Sequence, residues 1–156
     1  YDAIVNPANQ SLLAGSGLCG KIHALAGPLL ETVCKAHGRQ QIGAAIATPA
    51  FNLQNCQFIV HACGPRWLDG NHDERMLLGL TYENIFNAVA KMNISSIAIP
   101  AISTGIYRFP IEDAAYVAAV SCAKYVQHDL AVYFVIPERE KFAFFNSVLS
   151  KCNQRA

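Results

Sequence analysis

The chain has 156 residues, 53% of them hydrophobic and 15% charged, with 12 Lys and Arg against 11 Asp and Glu. That is enough apolar material for one sizeable core and about the length of one domain. A net charge of +1 supplies no basic stripe for DNA or RNA, and no apolar run reaches the ~18 residues of a membrane-spanning helix.

In chain order, Ala3-Ile-Val reads as a short strand ending at Asn6-Pro7, where a proline suits a turn better than a continuing ladder. A loop follows, Asn9-Gln-Ser-Leu-Leu-Ala-Gly-Ser-Gly-Leu-Cys-Gly20. From Gly20 to about Ala36, Ile22, Leu25, Ala26, Leu29, Leu30, Val33 and Cys34 recur at helical spacing, and Gly27-Pro28 breaks the pattern into two helices meeting at a kink. Ala44 to Thr48 and Cys56 to Ala62 read as antiparallel strands joined by the turn Phe51-Asn-Leu-Gln-Asn55. Beyond the loop Gly64 to His72, the pattern predicts a helix from Glu74 to about Met92, a buried strand from Ile94 to Ile102, and a helix from Ile111 to Tyr125. A strand from Leu130 to Ile136 and a helix from Lys141 to Cys152 close the chain. With no repeat and no linker, this alternation predicts one domain over residues 1–156, a three-layer α/β/α sandwich with a mixed central sheet.

The cysteines at 19, 34, 56, 63, 122 and 152 lie in no C-x-x-C pair, which predicts reduced thiols, no zinc site and an intracellular, cytoplasmic setting. A chain opening at Tyr1 reads as an excised domain or processed fragment.

Two Gly-centred loops, each after an apolar strand, carry the chemistry. The first contains Gly15-Ser-Gly-Leu-Cys-Gly20 and the second Ser103-Thr-Gly-Ile-Tyr107. Such loops turn backbone N–H groups inward as a nest, and a following helix adds its positive end, so a diphosphate is held without lysine. In an open α/β sheet, ligands bind beyond the carboxyl ends of the strands, where both loops fall. The first loop lacks the Gly-Lys-Ser/Thr of a P-loop, which disfavours nucleotide hydrolysis of that type; alone it is equally a turn needing positive φ. In the second, Ser103 and Thr104 offer hydroxyls and Tyr107 a face for a sugar, or else Tyr107 and Phe109 fill the core. Asn9 can bond ribose hydroxyls or its own turn. His61, amid apolar neighbours, reads as a core histidine, while His23, near the expected phosphates, is the better catalytic candidate; neither has a triad partner in sequence.

Together these residues resemble the macrodomain family over essentially the whole chain. The resemblance rests on Asp2-Ala-Ile-Val-Asn-Pro-Ala-Asn9, the first loop running into Ile22-His23 and Ala26-Gly27-Pro28, Phe58-Ile-Val-His-Ala-Cys-Gly-Pro65, and Ile97-Ala-Ile-Pro-Ala-Ile-Ser-Thr-Gly-Ile-Tyr107. It is closest to the MacroD-type group, whose members bind ADP-ribose and often remove mono-ADP-ribose from acidic side chains or hydrolyse O-acetyl-ADP-ribose. By that resemblance Asn9 holds the distal ribose, and Gly15, Ser16, Gly17 and Leu18 enclose the diphosphate with Ser103, Thr104, Gly105 and Ile106. Tyr107 closes over the distal ribose. No metal or cofactor is implied, and the expected partner is ADP-ribose or a mono-ADP-ribosylated protein, bound by a monomer with neither membrane nor nucleic acid.

The chain departs from the group in three places. The group's catalytic Asp stands ten residues after the ribose Asn, and the residue there is Cys19, whose thiol replaces a carboxylate only as a thiolate. That makes Asn9 and Cys19 the catalytic candidates and leaves a non-catalytic reader of ADP-ribose as the alternative. The group's adenine-contacting Asp lies on a strand upstream of Tyr1, so the domain is expected to lack the family's first N-terminal strand. Pro137 stands where the group places an aromatic against adenine, which leaves two expectations: looser adenine recognition, or recognition by residues such as Phe134 or Phe142.

Overall fold

The computed structural model describes residues 1–153, with side chains to Lys151; the side chain of Cys152 lies outside the described residues. The strands are β1 (Ala3–Pro7), β2 (Ala45–Pro49), β3 (Phe58–Ala62), β4 (Ser96–Ile99) and β5 (Ala131–Phe134). The helices are α1 (Gly17–Ala26), α2 (Pro28–His37), α3 (Glu74–Ala90), α4 (Ile111–Tyr125) and α5 (Arg139–Asn153). The strands form one sheet in the order β2-β3-β1-β4-β5, parallel except for β2, which runs antiparallel to β3. The predicted mixed sheet, the antiparallel β2–β3 pair and the break at Gly27-Pro28 are all present. Gly27 takes φ +90°, a conformation open to glycine, and Pro28 starts α2, where its missing N–H costs nothing.

Three strands are shorter than the hydropathy implied, β3 beginning at Phe58 rather than Cys56. Pro100 cannot donate to a ladder, so β4 stops at Ile99 and the apolar Ala101-Ile102 belongs to the loop beyond; β5 stops at Phe134. Among the described residues, Cys19, Cys34, Cys56 and Cys63 form no disulfide. No helix among the described residues is long and apolar enough to cross a membrane.

Strand alternation sorts the core into two layers. Ala3, Val5, Val60, Ala62, Ile97 and Ile99 face Leu78, Tyr82, Ile85, Phe86, Ala115, Ala118 and Phe145 of α3, α4 and α5. Ile4 and Ile59 turn the other way, toward Ile22, Ala26, Leu30 and Cys34 of α1 and α2. Three helices thus pack on one face and two on the other. The two-helix layer covers the β2-β3-β1 side and leaves part of β1 and β4 bare, a groove with Ile4 and Ala98 on its floor.

Candidate functional site

That groove is a cavity of about 610 Å³, lined by residues that follow β1, β3, β4 and β5. Because these four strands are parallel, their carboxyl ends share one edge of the sheet. Of the candidates named from sequence, Asn9, Gly15, Ser16, Gly17, Leu18, Cys19, Ser103, Thr104, Gly105, Ile106 and Tyr107 line it.

The first loop ends in the N-terminus of α1. Ser16 precedes the helix in extended backbone, yet its side chain makes no capping bond, and no acidic residue occupies the first turn. The first-turn amides and the positive helix end therefore remain uncompensated beside the cavity. Gly17 sits at φ +59° with open space where a side chain would be. Gly20 packs so closely under the loop that an added Cβ would strike the Gly15 carbonyl.

The second loop is held from several sides. The Thr104 hydroxyl donates to the Ala101 carbonyl at 2.8 Å, the Phe109 amide to Ser103 O at 2.9 Å, and the Trp67 amide to Tyr107 O at 2.8 Å. Ser103 is left-handed at φ +67°, and its buried Oγ has no partner among the described residues. Gly64 makes room for it, since a Cβ there would meet Ser103 Oγ and Ile102. The amides of Gly105, Ile106 and Tyr107 donate to nothing among the described residues, and Ile106 is 78% exposed at the rim. The two readings of the aromatics divide between them. Phe109 is core, edge-on to Trp67 at 5.0 Å, while Tyr107 lines the cavity with the Arg66 guanidinium 5.3 Å from its ring centre.

Asn9 satisfies its own turn and still faces the cavity. Its Oδ1 accepts from Ser11 Oγ at 2.6 Å and from the Leu13 amide at 3.3 Å, and its Nδ2 donates to Leu13 O at 3.0 Å. One amide hydrogen is left. Cys19, nearly buried, directs its thiol to the same Leu13 carbonyl at 3.6 Å.

The histidines lie behind the site. His61 is fully buried, with Nδ1 2.9 Å from Asn6 Nδ2 and Nε2 3.0 Å from Thr48 Oγ1, so it is the core histidine expected. His23, the better catalytic candidate from sequence, instead faces inward from α1, its ring 6.2 Å from that of His61, and is not among the residues lining the large cavity. Although sequence spacing gave no Cys/His pair, the fold gathers donor atoms of His23, Cys34 and His61 within 4.8 Å. Burial raises the Cys34 thiol and lowers His23, each toward its neutral form; both nitrogens of His61 are engaged, while the buried His23 Nε2 has no partner among the described residues.

Burial, with smaller contributions from His23 and His37, pushes His61 from its ordinary 6.5 down to about 4. In the unfolded chain His61 takes up a proton as pH falls through 6.5, whereas the fold refuses it until about pH 4, so acid favours unfolding across that window. The expected loss between pH 7 and pH 4.5 is about 2–3 kcal/mol. Denaturant titrations at both pH values measure it, and an unchanged pH dependence in His61→Gln would count against this assignment.

Sequence reasoning missed the far wall. Phe134 packs inward against Tyr82 and Phe145, with ring centres 6.3 and 5.7 Å away, and Phe142 lies outside the lining, so neither supplies the expected aromatic. Tyr1, Leu53, Asn55, Cys56, Val135 and Pro137 line that end instead. Glu138 and Lys141, at the start of α5, complete the wall. Only the Pro137 position carried a signal in the sequence.

The Macro domain family matches residues 5–118. A "Macro domain-containing protein" of Acinetobacter is 39% identical over 95% of this chain and 84% of its own length. An Escherichia fergusonii protein named "O-acetyl-ADP-ribose deacetylase" is 40% identical over 96% of this chain and 88% of its own. Among solved structures, the Oceanobacillus iheyensis macrodomain with ADP superposes with a TM-score of 0.91 at 31% identity, covering 99% of this chain and 86% of that one. The Trypanosoma brucei macrodomain in complex with ADP-ribose gives 0.83 at 28% identity, over 94% of this chain and 62% of that one. The chain belongs to the macrodomain family.

Proposed function

We propose that residues 1–156 form one macrodomain that binds ADP-ribose and hydrolyses O-acetyl-ADP-ribose or mono-ADP-ribose esters on proteins. The observation that carries this reading is the meeting, in one cavity, of the uncapped α1 N-terminus and the undonated amides of Gly105, Ile106 and Tyr107. Two opposed sets of N–H donors suit a diphosphate bridging them. The apolar wall of Leu53, Val135 and Pro137 suits a base, and Asn9 and Tyr107 suit the distal ribose. Related proteins named for O-acetyl-ADP-ribose deacetylation, and a macrodomain solved with ADP-ribose, support the choice of ligand.

For a mono-ADP-ribose ester, water adds to the anomeric carbon as the C–O bond to the carboxyl group breaks in a transition state of oxocarbenium character; the carboxylate leaves unprotonated and the water gives its proton to solvent. Positioning by Asn9 and the phosphate-holding amides is then the protein's main contribution. A second reading, a reader that binds without turnover, is favoured by one observation: Cys19 replaces the group's carboxylate, and its thiol is directed at Leu13 O.

Calorimetric titration with ADP-ribose, paired with a release assay on a mono-ADP-ribosylated protein, tests both readings. Binding at micromolar strength or better is expected. No heat at millimolar ligand would remove the proposal, and tight binding without release would select the reader. Gly17→Val is expected to weaken ADP-ribose by tenfold or more, roughly, because a β-branched residue resists positive φ and would fill the open space at the phosphate loop. Unchanged affinity would place the phosphate elsewhere.

A further inference from the structure

Among the described residues, the cavity wall contains one cationic side chain, Lys141, and one anionic side chain, Glu138. Lys141 belongs to the first turn of α5, outside both Gly-centred loops. Its side chain is only 20% exposed, and its ammonium donates to the Thr104 carbonyl at 3.1 Å. Glu138 is 4.0 Å away, beyond hydrogen-bonding distance, and 56% exposed. A lysine has three N–H donors, and one is used on Thr104. A largely covered ammonium with a single neutral acceptor and a loosely placed, solvated carboxylate is under-compensated.

The Thr104 bond has a second effect. A loop that presents amides to an anion must keep its carbonyls turned away, because a carbonyl dipole facing a phosphate repels it. Thr104 directly precedes the three undonated amides, and Lys141 holds its carbonyl. The lysine therefore fixes the loop and adds a unit charge beside it.

We propose that Lys141 is a specificity-determining residue for the diphosphate: it supplies the one full positive charge that the two amide loops lack, and makes the site select ligands with a pyrophosphate over neutral nucleosides. This rests on the ADP-ribose reading above. The geometry needs no direct bond to phosphate, since an ammonium on the loop's carbonyl side attracts an anion across the loop, at a range where salt partly screens it.

The test is calorimetric titration of wild type, Lys141→Met and Lys141→Arg with ADP-ribose, ADP and adenosine at low and high salt. Methionine keeps the stem and removes the charge, and Lys141→Gln serves as a second variant where methionine fails to fold. The expected result is an about tenfold loss of affinity for ADP-ribose and ADP in Lys141→Met, with adenosine unchanged. Wild-type affinity should fall from about 0.05 to about 0.5 M salt, the variant should be nearly flat over that range, and arginine should restore most of the loss. Equal weakening of ADP and adenosine, or an unchanged salt dependence, would reduce Lys141 to a loop tie and overturn the proposal. Failure of wild type to bind ADP-ribose would instead overturn the reading on which it rests.

Discussion

Gly20→Ala is expected to weaken ADP-ribose binding by about a hundredfold or more while leaving the fold intact. Taken as a helix position alone, the substitution should help, since alanine is the better helix former by up to about 1 kcal/mol and restricts the unfolded chain. The close approach reverses the sign. A Cβ at Gly20 would collide with the Gly15 carbonyl, which is backbone and cannot swing aside like a side-chain tip, so the loop from Gly15 to Gly17 must lift from the helix. Lifting it misplaces the first-turn amides that face the cavity, and the loss of two charge-assisted hydrogen bonds of about 1.5 kcal/mol each accounts for the hundredfold. Stability should change little because residues 14 to 18 are exposed. Calorimetry and thermal unfolding on the same variant separate the two effects. Retained affinity would mean that the loop tolerates displacement and contributes little to the ligand.

The site was legible in this sequence wherever local backbone chemistry writes it. Glycines in a strand-to-helix connection, and a Ser-Thr-Gly run after a proline-ended strand, mark places where amides are turned inward, and both loops lie on the cavity. The fold was legible for a related reason: period-two and helical patterns alternate cleanly, and Gly27-Pro28 permits one outcome. What could not be read depends on contacts distant in sequence. Lys141 lies 37 residues from the loop whose carbonyl it holds, and nothing in Glu138-Arg-Glu-Lys141 distinguishes it from an ordinary solvated helix start. His23 misled because its position along α1 is near the loop while its direction, set by helical phase, is toward His61. Phe134 misled similarly: strand alternation turns it into the α3–α5 layer.

Asn9 and Cys19 together separate an enzyme from a reader, and the structure sharpens what each substitution does. Asn9→Ala removes the amide hydrogen left for a ribose hydroxyl, and also the bonds to Ser11 and Leu13 that shape the turn. If Asn9 orients the distal ribose for attack, turnover should fall by about a hundredfold while ADP-ribose affinity falls by less than about tenfold, the pattern of an interaction made mainly in the transition state. Equal losses would mean that the turn, rather than the reaction, needed the residue. Cys19 is nearly buried and its thiol meets only a weak acceptor contact to Leu13 O, so Cys19→Ala should leave turnover nearly intact. Cys19→Asp places a carboxylate in the first turn of α1, where the helix end favours negative charge and no acidic residue now stands. It should raise the release rate by restoring a group able to orient water beside Asn9. A rate that collapses in Cys19→Ala would make the thiol itself part of the chemistry, and a wild type inert toward every ADP-ribosylated substrate, yet activated by Cys19→Asp, would identify a reader that lost its catalytic carboxylate.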